Sequence, residues 1–448
     1  MVAYFFPPLG GVGVQRTLKF VRNLREAGWR SVVLTAADPP YPVRDPGALA
    51  EVPGDTEVVR TRCPEPAGLV ARLAPRHTSA RATTSRPAVA RIGPLRAALR
   101  AGASWWIRLA RAILFPDEQV LWHPFATRAA RAVMQRRRID AIYSTSPPVT
   151  GHLIARSIRG SSGRPWVADF RDPWVGNAFA DRPSRLRDRL QRWLERRIVH
   201  DADRVVLATP SMARDFERRY PDLLGRFVCI ENGYDRSELT DLPAVPRDPG
   251  RFTIVYSGSI YGERELVLFL DGLELLASRR PDLRDRLLVE FVGRVNVTNQ
   301  RAASAYLVPE RLGTIVSFTG FLPRREALAR MRSGDALLQL IADDPGKERV
   351  VGGKLTEYLA FDLPILAVVP RGDARSILED LDWGVVVDPE PEAIAGGLER
   401  ILTERPRRGP ADPERRYDRV TQARRLAALL DELTESELDE LAESDPGR

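Results

Sequence analysis

The sequence has few cysteines, few lysines and no long apolar run, and each shortage excludes a class of protein. Its two cysteines, Cys63 and Cys229, lie far apart and fit no CxxC spacing. This argues against a disulfide framework or a zinc site and indicates reduced thiols of a cytoplasmic protein. No stretch of eighteen apolar residues occurs, so we expect no transmembrane helix. The opening MVAYFFPP lacks a basic segment and predicts a buried first strand rather than a signal peptide.

Lysine is scarce because arginine supplies almost all of the positive charge. Only Lys19, Lys347 and Lys354 are lysines among 68 basic residues, and 60 acidic residues leave a net charge of +8. A basic surface favours anionic partners such as phosphates, acidic lipid headgroups or nucleic acid. No aromatic-rich RNA-binding signature and no helix-turn-helix signature occurs, so no nucleic acid is expected and a nucleic-acid-binding protein is only an alternative.

Strand-like and helix-like segments alternate along the chain, which predicts an α/β fold with parallel sheets. Residues 242–250 (LPAVPRDPG) are rich in proline and predict a linker. We expect two Rossmann-like, doubly wound parallel-sheet domains, residues 1–241 and 251–412, which face each other across a cleft. Residues 413–448 predict a helix, which could cross back to the first domain, and an acidic tail. The predicted strands are 2–6, 31–36, 141–144, 166–170, 205–208 and 227–230, then 253–256, 288–292, 315–318, 336–341, 365–369 and 385–387.

Residues 64–115 interrupt this alternation. Residues 64–91 are rich in Pro, Ala, Arg, Ser and Thr and predict a mobile surface excursion. Residues 92–115 are basic and amphipathic and contain Trp105 and Trp106. Two interpretations stay open for this stretch. It rests on an anionic membrane surface, or it forms a buried helix that covers the first sheet.

A glycine-containing loop follows the first predicted strand. Gly10, Gly11 and Gly13 lie before a segment with helical spacing of apolar residues, and a loop that enters a helix N-terminus offers N–H groups to an anion. Arg16 occupies the last glycine position of a dinucleotide-binding GxGxxG pattern. A tight turn and a dinucleotide site are alternatives to the preferred interpretation, a loop that covers a diphosphate or an acceptor.

Charged residues cluster at the end of the strand predicted at 166–170. Asp169, Arg171, Asp172 and Trp174 lie in the segment ADFRDPW, where two carboxylates flank an arginine. The cluster is either an ion-pair network that fixes a loop or an acceptor-side site that positions sugar hydroxyls and a proton.

His152 is one of only four histidines and lies where the turn SPPVTG enters a helix. It is either a satisfied helical histidine or a donor to substrate hydroxyls or phosphate in the cleft.

The segment GGKLTEYLA gives the strongest signal for a ligand site. Gly353, Lys354 and Leu355 lead from glycine into a predicted helix, and Glu357 follows Lys354 by three residues, so both charged side chains lie on the first turns. The lysine can neutralise a diphosphate, and the carboxylate can accept both hydroxyls of a ribose. A structural capping pair is the alternative.

A second glycine-rich segment, SGSIYGERE, follows the first strand of the second half. Gly258 permits a close approach of the backbone to a ligand, and Arg264 could reach a phosphate. The alternative is a surface ion pair between Arg264 and one of its neighbours, Glu263 or Glu265.

Taken together, the motifs resemble glycosyltransferases of the GT-B fold, in particular the retaining, GT4-like enzymes. The likeness covers nearly the whole chain, and the order and spacing of the motifs make it specific. The motifs are YFFPPLGGVGVQR, PDEQVLWHPFA, IYSTSPPVTGHLIA, ADFRDPW, ADRVVLATP, IENGYD, VYSGSIYGERE, FTGFLPRREAL and GKLTEYLAFDLPILAV.

The resemblance implies a nucleotide-sugar donor, UDP- rather than GDP-linked, bound mainly by the second half. It places the ribose on Glu357, the diphosphate near Arg264, and the base on the backbone around Gly320, Phe321 and Leu322. It places Gly10 and Gly11 near the donor phosphates and acceptor, and His152 at the transferred sugar. The residues predicted to be catalytic are His152, Asp172, Arg264 and Lys354.

The sequence departs from the family pattern at two positions. Arg349, beside Glu348, stands where the E-x7-E signature has its upstream acid, and no lysine follows Arg264, because the next residues read ELVLF. Lys354 is a candidate replacement for that lysine.

The predicted activity is transfer of a hexose to a cell-envelope, lipid-linked or secondary-metabolite acceptor. A GT-B-fold sugar-nucleotide epimerase is the alternative enzyme. We expect no metal cofactor, because fixed cations can stabilise the leaving diphosphate. Asp343 and Asp344 predict a solvated loop, with a metal-binding pair of acids as the alternative. The expected location is cytoplasmic, with peripheral contact at the inner face of the membrane as an option.

Overall fold

The structure is a computed structural model of the 448-residue chain. It describes residues 1–41, 43–66, 113–177, 183–260, 263–344, 351–404 and 410–444. Several predictions fall outside the described residues, namely those on most of the 64–115 excursion, on Trp105 and Trp106, and on Lys347, Glu348 and Arg349.

The first half is built on parallel strands with helices between them. The strands are β1 (Val32–Ala37), β2 (Glu57–Arg62), β3 (Ile142–Ser146), β4 (Trp166–Phe170), β5 (Arg204–Leu207) and β6 (Phe227–Cys229). The helices are α1 (Val12–Leu24), α2 (His123–Arg136), α3 (Thr150–Ser162), α4 (Arg185–Asp201) and α5 (Pro210–Arg219). Val2 bridges Leu34 of β1 and Ser144 of β3. The N-terminal segment therefore lies between the β2–β1 pair and the β3–β4–β5–β6 sheet.

The second half contains a six-stranded parallel sheet in the order β12-β11-β10-β7-β8-β9. Its strands are β7 (Phe252–Ser257), β8 (Leu287–Val292), β9 (Val316–Gly320), β10 (Ala336–Leu340), β11 (Ile365–Val368) and β12 (Val385–Val387). Its helices are α6 (Glu263–Arg279), α7 (Leu283–Arg286), α8 (Val297–Ser304), α9 (Arg324–Ser333), α10 (Gly353–Tyr358), α11 (Asp373–Asp380) and α12 (Pro391–Thr403), followed by α13 (Arg419–Ser444). Within the described ranges, no helix of either half is long and apolar enough to cross a membrane.

The predicted α/β class with parallel sheets in both halves is confirmed, but the predicted strand at 2–6 is wrong as a continuous strand. Only Val2 has bridge partners, because the chain turns at Pro7 and Pro8 and the Phe6 carbonyl accepts the Leu9 N–H at 3.1 Å. Strand β2 was not predicted. It pairs only with β1, and its half-exposed residues give no clear apolar alternation.

The last helix packs against the first half. Side chains of α13 form one apolar cluster with residues of α1, β3, β4 and β5, namely Ala423, Leu426 and Leu430 with Phe20, Tyr143, Val167 and Val206. Trp29 donates from Nε1 to Asp431 at 2.8 Å. The domain limits of the sequence analysis stay predictions.

Loops at the carboxyl ends of the strands position the candidate site. In the second sheet the strand order reverses between β7 and β10, and α10 follows β10 in the chain. Gly258 follows β7 and Gly293 follows β8. Ligands of open parallel sheets bind at the carboxyl ends of strands near such a reversal, so these loops are where the search for a site begins.

Candidate functional site

Lys354 reaches from α10 to the end of β7. Its Nζ donates to the hydroxyl of Tyr256 and to the carbonyl of Ser259 at 3.2 Å, and it lies 4.0 Å from the centre of the Tyr256 ring. Burial lowers the pKa of Lys354 to about 8, although the charges of Glu265 and Glu357 favour the protonated form. The site therefore holds a largely desolvated ammonium group.

Gly258 is required for this position of the lysine. Its φ is +123°, and a Cβ built on it would lie 2.4 Å from Cε of Lys354, well inside van der Waals contact. The predicted close approach at this glycine is thus made by a side chain of the same protein.

Glu357 does not point into bulk solvent. Its side chain is 24% exposed, and its Oε1 accepts a hydrogen bond from Nη2 of Arg324 at 2.7 Å. Arg324 also contacts Glu238, which precedes the second half in the chain. Glu357 therefore lies at the junction of the two halves.

Two other residues of this segment have backbone or packing roles. Gly353 is the first residue of α10. The Leu355 side chain is fully buried, and its N–H already donates to the Gly352 carbonyl at 3.2 Å. In the structure, neither the side chain nor the N–H of Leu355 is available to a nucleotide-sugar, although the resemblance predicts that Leu355 takes part in binding it.

Arg264 is paired with an acid, although not the predicted one. Its Nη1 donates to Oδ1 of Asp344 at 3.1 Å and to the Asp343 carbonyl at 3.4 Å, and its side chain is 62% exposed. The arrangement favours the surface ion pair over a preformed diphosphate contact.

The predicted base-binding segment ends β9 with an exposed aromatic ring. Gly320 has a φ of +74°, and its carbonyl accepts the Gly293 N–H at 2.9 Å. Phe321 is 62% exposed, and the guanidinium of Arg294 lies 5.1 Å from its ring centre. Leu322 packs partly against the core. Sequence reasoning missed Arg294, whose only signal is its place after a buried strand and Gly293.

In the first half, Asp169 forms a buried ion pair with Arg16. Oδ2 accepts from Nε of Arg16 at 2.9 Å and Oδ1 from Nη2 at 2.8 Å. Tyr143 and Thr145 donate to Oδ2 at 2.5 and 2.9 Å. Burial alone would raise the pKa of Asp169, but Arg16 and these donors hold it below its ordinary value. With every contact internal, the geometry favours the structural network over the predicted acceptor site.

Arg171 fixes the backbone around the glycine loop. Its guanidinium donates to the carbonyls of Ser146 at 3.0 Å and Pro147 at 2.8 Å, and also to the Gly13 carbonyl. Burial lowers its pKa. These three contacts to backbone carbonyls favour a role of Arg171 in holding the loop.

Asp172 and Trp174 lie nearer the surface. Asp172 is exposed as a residue, yet its pKa is raised because neighbouring atoms restrict its solvation and Asp169 adds negative charge, and the charge of Arg171 offsets only part of this rise. Trp174 is partly buried and lies 6.3 Å from the Phe115 ring. Among the four residues of the predicted cluster, Asp172 is the one that is exposed.

His152 is enclosed in the core. It is 0% exposed, lies 4.5 Å from the Phe170 ring, and shares a hydrogen bond of 2.8 Å between Nδ1 and the Ser144 hydroxyl. Burial lowers its pKa to about 3, so the ring is neutral. Its buried Nε2 has no hydrogen-bond partner in the described part of the chain, so the ring is a core side chain but not a fully satisfied one, and its contact with a transferred sugar stays a prediction.

The glycine loop is tightly packed on one side and open on the other. A Cβ on Gly10 would lie 3.1 Å from side-chain atoms of Val43 and Asp45, whereas Gly11 is exposed, has a φ of +91° and precedes α1. The loop therefore leads into an accessible helix N-terminus, which the sequence predicted.

One cluster of carboxylates has the spacing of a metal site but contains a lysine. Glu51, Asp235 and Glu238 place ligand atoms within 4.8 Å of one another. Nζ of Lys19 lies 2.5, 2.8 and 2.8 Å from them. The ammonium group thus takes the place that a cation would occupy.

Comparison with known proteins decides the family. The sequence profile described as Glycosyltransferase Family 4 matches residues 9–238, and that described as Glycosyl transferases group 1 matches residues 240–419. The chain belongs to glycosyltransferase family 4. This glycosyltransferase has no match among curated proteins.

Solved structures establish that this family 4 enzyme has the GT-B fold. A glycosyltransferase from Rickettsia africae is 11% identical, with a TM-score of 0.56 over 99% of this chain and 97% of that one. HepE from Anabaena, solved with UDP, is 14% identical, with a TM-score of 0.52 over 99% and 98%. Sucrose-phosphate synthase from Thermosynechococcus elongatus is 16% identical, with a TM-score of 0.54 over 99% and 97%. The predicted family, fold and enzyme class are confirmed, and the epimerase and nucleic-acid alternatives are not favoured.

Proposed function

We propose that this enzyme is a retaining glycosyltransferase that transfers a hexose from a UDP-sugar to a hydroxylated acceptor. The observation that supports the donor site best is the position of Lys354 and Glu357 on one turn beside the strand-order reversal. A cation and a carboxylate are the groups that a diphosphate and a ribose diol need.

The donor would lie along the carboxyl ends of β7, β8 and β9. Phe321 and Arg294 offer an exposed face for the base. Glu357 has carboxylate lone pairs for the ribose hydroxyls, and the ammonium group of Lys354 would meet the diphosphate. HepE, which has the same fold, was solved with UDP, and this favours a uridine nucleotide over GDP.

The chemistry follows from where charge develops. As the bond between the sugar and the diphosphate breaks, negative charge grows on the leaving phosphate oxygen and positive charge on the sugar. A preorganised ammonium group such as Lys354 stabilises the leaving group without reorganising. The proposal needs no divalent metal for this step, because the charge is supplied by the chain itself.

The acceptor would enter from the first half. Asp172 is exposed at the end of β4, and the open side of Gly11 lies at the N-terminus of α1. A carboxylate with a raised pKa can hold the acceptor hydroxyl by a hydrogen bond. We assign Asp172 this orienting role, since Asp169 is buried against Arg16 and Arg171 is buried against backbone carbonyls.

Replacing Glu357 by Gln tests the donor site. We expect UDP to bind about 10- to 100-fold more weakly, because hydrogen bonds to a charged group contribute about 1.5–3 kcal/mol. Isothermal titration calorimetry with UDP, and GDP as a second probe, measures the change. Glu326→Gln is the control, because Glu326 is an exposed glutamate on the neighbouring α9. Equal UDP affinity of Glu357→Gln and the parent would reject the site.

A lipid-linked acceptor would bring the enzyme to a membrane, and the outer face of α4 is suited to an anionic surface. Leu186, Leu190 and Trp193 are 69%, 41% and 54% exposed and lie on one helix face at i, i+4 and i+7. Exposed arginines flank this face at positions Arg189, Arg196 and Arg197. Apolar and basic side chains in this arrangement favour anionic lipid headgroups.

Vesicle flotation tests this membrane contact. The full chain should float with vesicles that contain 30% phosphatidylglycerol at about 0.1 M salt, and stay behind with pure phosphatidylcholine, because charge attraction and insertion act together. Leu186→Ser/Trp193→Ser should reduce flotation, and Leu224→Ser, an exposed leucine elsewhere, should not. No flotation of the parent with the anionic vesicles would contradict the proposal.

A further inference from the structure

A chain of alternating charges links the first half of the enzyme to Glu357. It runs from Lys19 on α1 to Glu238, on to Arg324 at the start of α9, and then to Glu357 on α10. Lys19 and Glu238 lie within the first matched family profile, and Arg324 and Glu357 lie within the second. The chain therefore crosses the junction of the two halves.

The two oxygens of the Glu238 carboxylate contact different cationic side chains. Oε1 lies 2.8 Å from Nζ of Lys19, and Oε2 accepts from Nε of Arg324 at 3.1 Å. Burial alone would raise the pKa of Glu238, but these two cations hold it below its ordinary value. Glu238 is thus a fixed, ionised bridge between them.

Arg324 in turn holds one oxygen of Glu357. Its Nη2 donates to Oε1 at 2.7 Å, so Arg324 contacts the carboxylate through that oxygen and not through Oε2. A carboxylate fixed through one oxygen has a defined orientation, and its second oxygen remains available to a diol.

Lys19 is placed so that this orientation depends on the first half. Its side chain is 2% exposed and is surrounded by three carboxylates. It lies on α1, the helix that follows the glycine loop. A displacement of α1 would therefore act on Glu238 and, through Arg324, on Glu357.

We infer that Glu238 and Arg324 are positioning residues that set the orientation of the Glu357 carboxylate for the donor ribose. Through Lys19, this orientation depends on the position of α1. The inference rests on the proposed donor site. Beyond that site, we expect the affinity for the nucleotide-sugar donor to depend on residues that do not touch the donor, because residues of a connected network can change the energetic coupling between distant groups.

The test measures UDP affinity of Glu238→Gln and Arg324→Met in the full chain. Each substitution should raise the Kd for UDP by roughly 3- to 30-fold, and Arg324→Lys should recover part of the loss. Where donor and acceptor are known, KM for the donor should rise with little change in kcat. Arg236→Met is the matched control. It breaks another ion pair between the same short helix, Arg236–Leu239, and the second half, with Asp362 at 3.1 Å, and should leave the Kd within about twofold.

A double-mutant comparison separates positioning from simple stabilisation. If Glu238 acts through Glu357, then Glu238→Gln/Glu357→Gln should bind UDP no more weakly than Glu357→Gln alone. Additive losses, or a parental Kd in Glu238→Gln, would overturn the inference. If Glu357→Gln itself binds UDP like the parent, the proposed donor site fails instead, so the two failures are distinguishable.

Discussion

Replacing Lys354 by Met is expected to lower kcat/KM for the donor by about 100- to 1000-fold, the usual cost of losing one preorganised group that stabilises a developing negative charge. Met is close to Lys in length and can lie beside Gly258 and Tyr256, so the fold should persist. Initial rates of sugar transfer or donor hydrolysis, with circular dichroism to check folding, measure the effect. A rate within tenfold of the parent would contradict the role of Lys354.

Arg264→Met is the control for this experiment. Arg264 is the other cation predicted to meet the diphosphate, but it is 62% exposed and paired with Asp344. Because exposed ion pairs and mobile cations contribute little, we expect Arg264→Met to cost about tenfold at most. A larger loss from Arg264→Met than from Lys354→Met would reverse the assignment.

The pH dependence gives a second measurement of the same prediction. The pKa of Lys354 is lowered to about 8 because the side chain is buried. Below that pH the ammonium form is present and attracts the diphosphate, and above it the charge is lost. The parent's kcat/KM should therefore fall as pH rises through about 8, by roughly tenfold per unit in the limit, whereas the residual activity of Lys354→Met should lack this step.

Replacing Asp169 by Asn should destabilise the enzyme by about 3–5 kcal/mol, because it leaves the guanidinium of Arg16 buried without a counter-charge. The pair is almost inaccessible to solvent, with exposed side-chain fractions of 1% and 0%. In thermal unfolding this corresponds to a loss of about 10 °C for a domain of this size.

Asp188→Asn is the control for the Asp169 experiment. Asp188 also pairs with an arginine, Arg192, at 2.9 Å, but both side chains are partly exposed, at 34% and 57%. The expected loss is therefore within about 0.5 kcal/mol. If Asp169→Asn kept the parental Tm and lost activity, the acceptor-side interpretation of Asp169 would be correct and the structural one wrong.

The strand pattern was predictable because buried parallel strands are continuous apolar segments. Strand β4 was predicted with its observed ends, and β12 likewise. The segment at 2–6 looks the same in sequence but pairs only at Val2, since pairing depends on which neighbours the chain reaches. Strand β2 lies at an edge and is half-exposed, so its sequence lacks the apolar continuity on which the prediction relies.

The residues of the candidate site also differ in how much of their environment the sequence predicts. The sequence predicts a ligand site at Lys354 and Glu357, because a lysine is rare in this arginine-rich chain and both residues follow a double glycine at the start of a helix. The sequence could not show that the side chains of Asp169 and His152 are buried, because an acid or a histidine after a buried strand looks the same whether it faces a ligand or the core.

The sequence by itself determined the α/β class, the two-sheet organisation and the family, since these depend on local apolar periodicity and on motif order. Only the tertiary structure decided which charged side chains form ion pairs within the protein. The partners of Asp169 and Glu357 include Arg16, 153 residues away, and Arg324, 33 residues away. Electrostatic pairing depends on distance in space and on burial, and neither quantity is a local property of the chain.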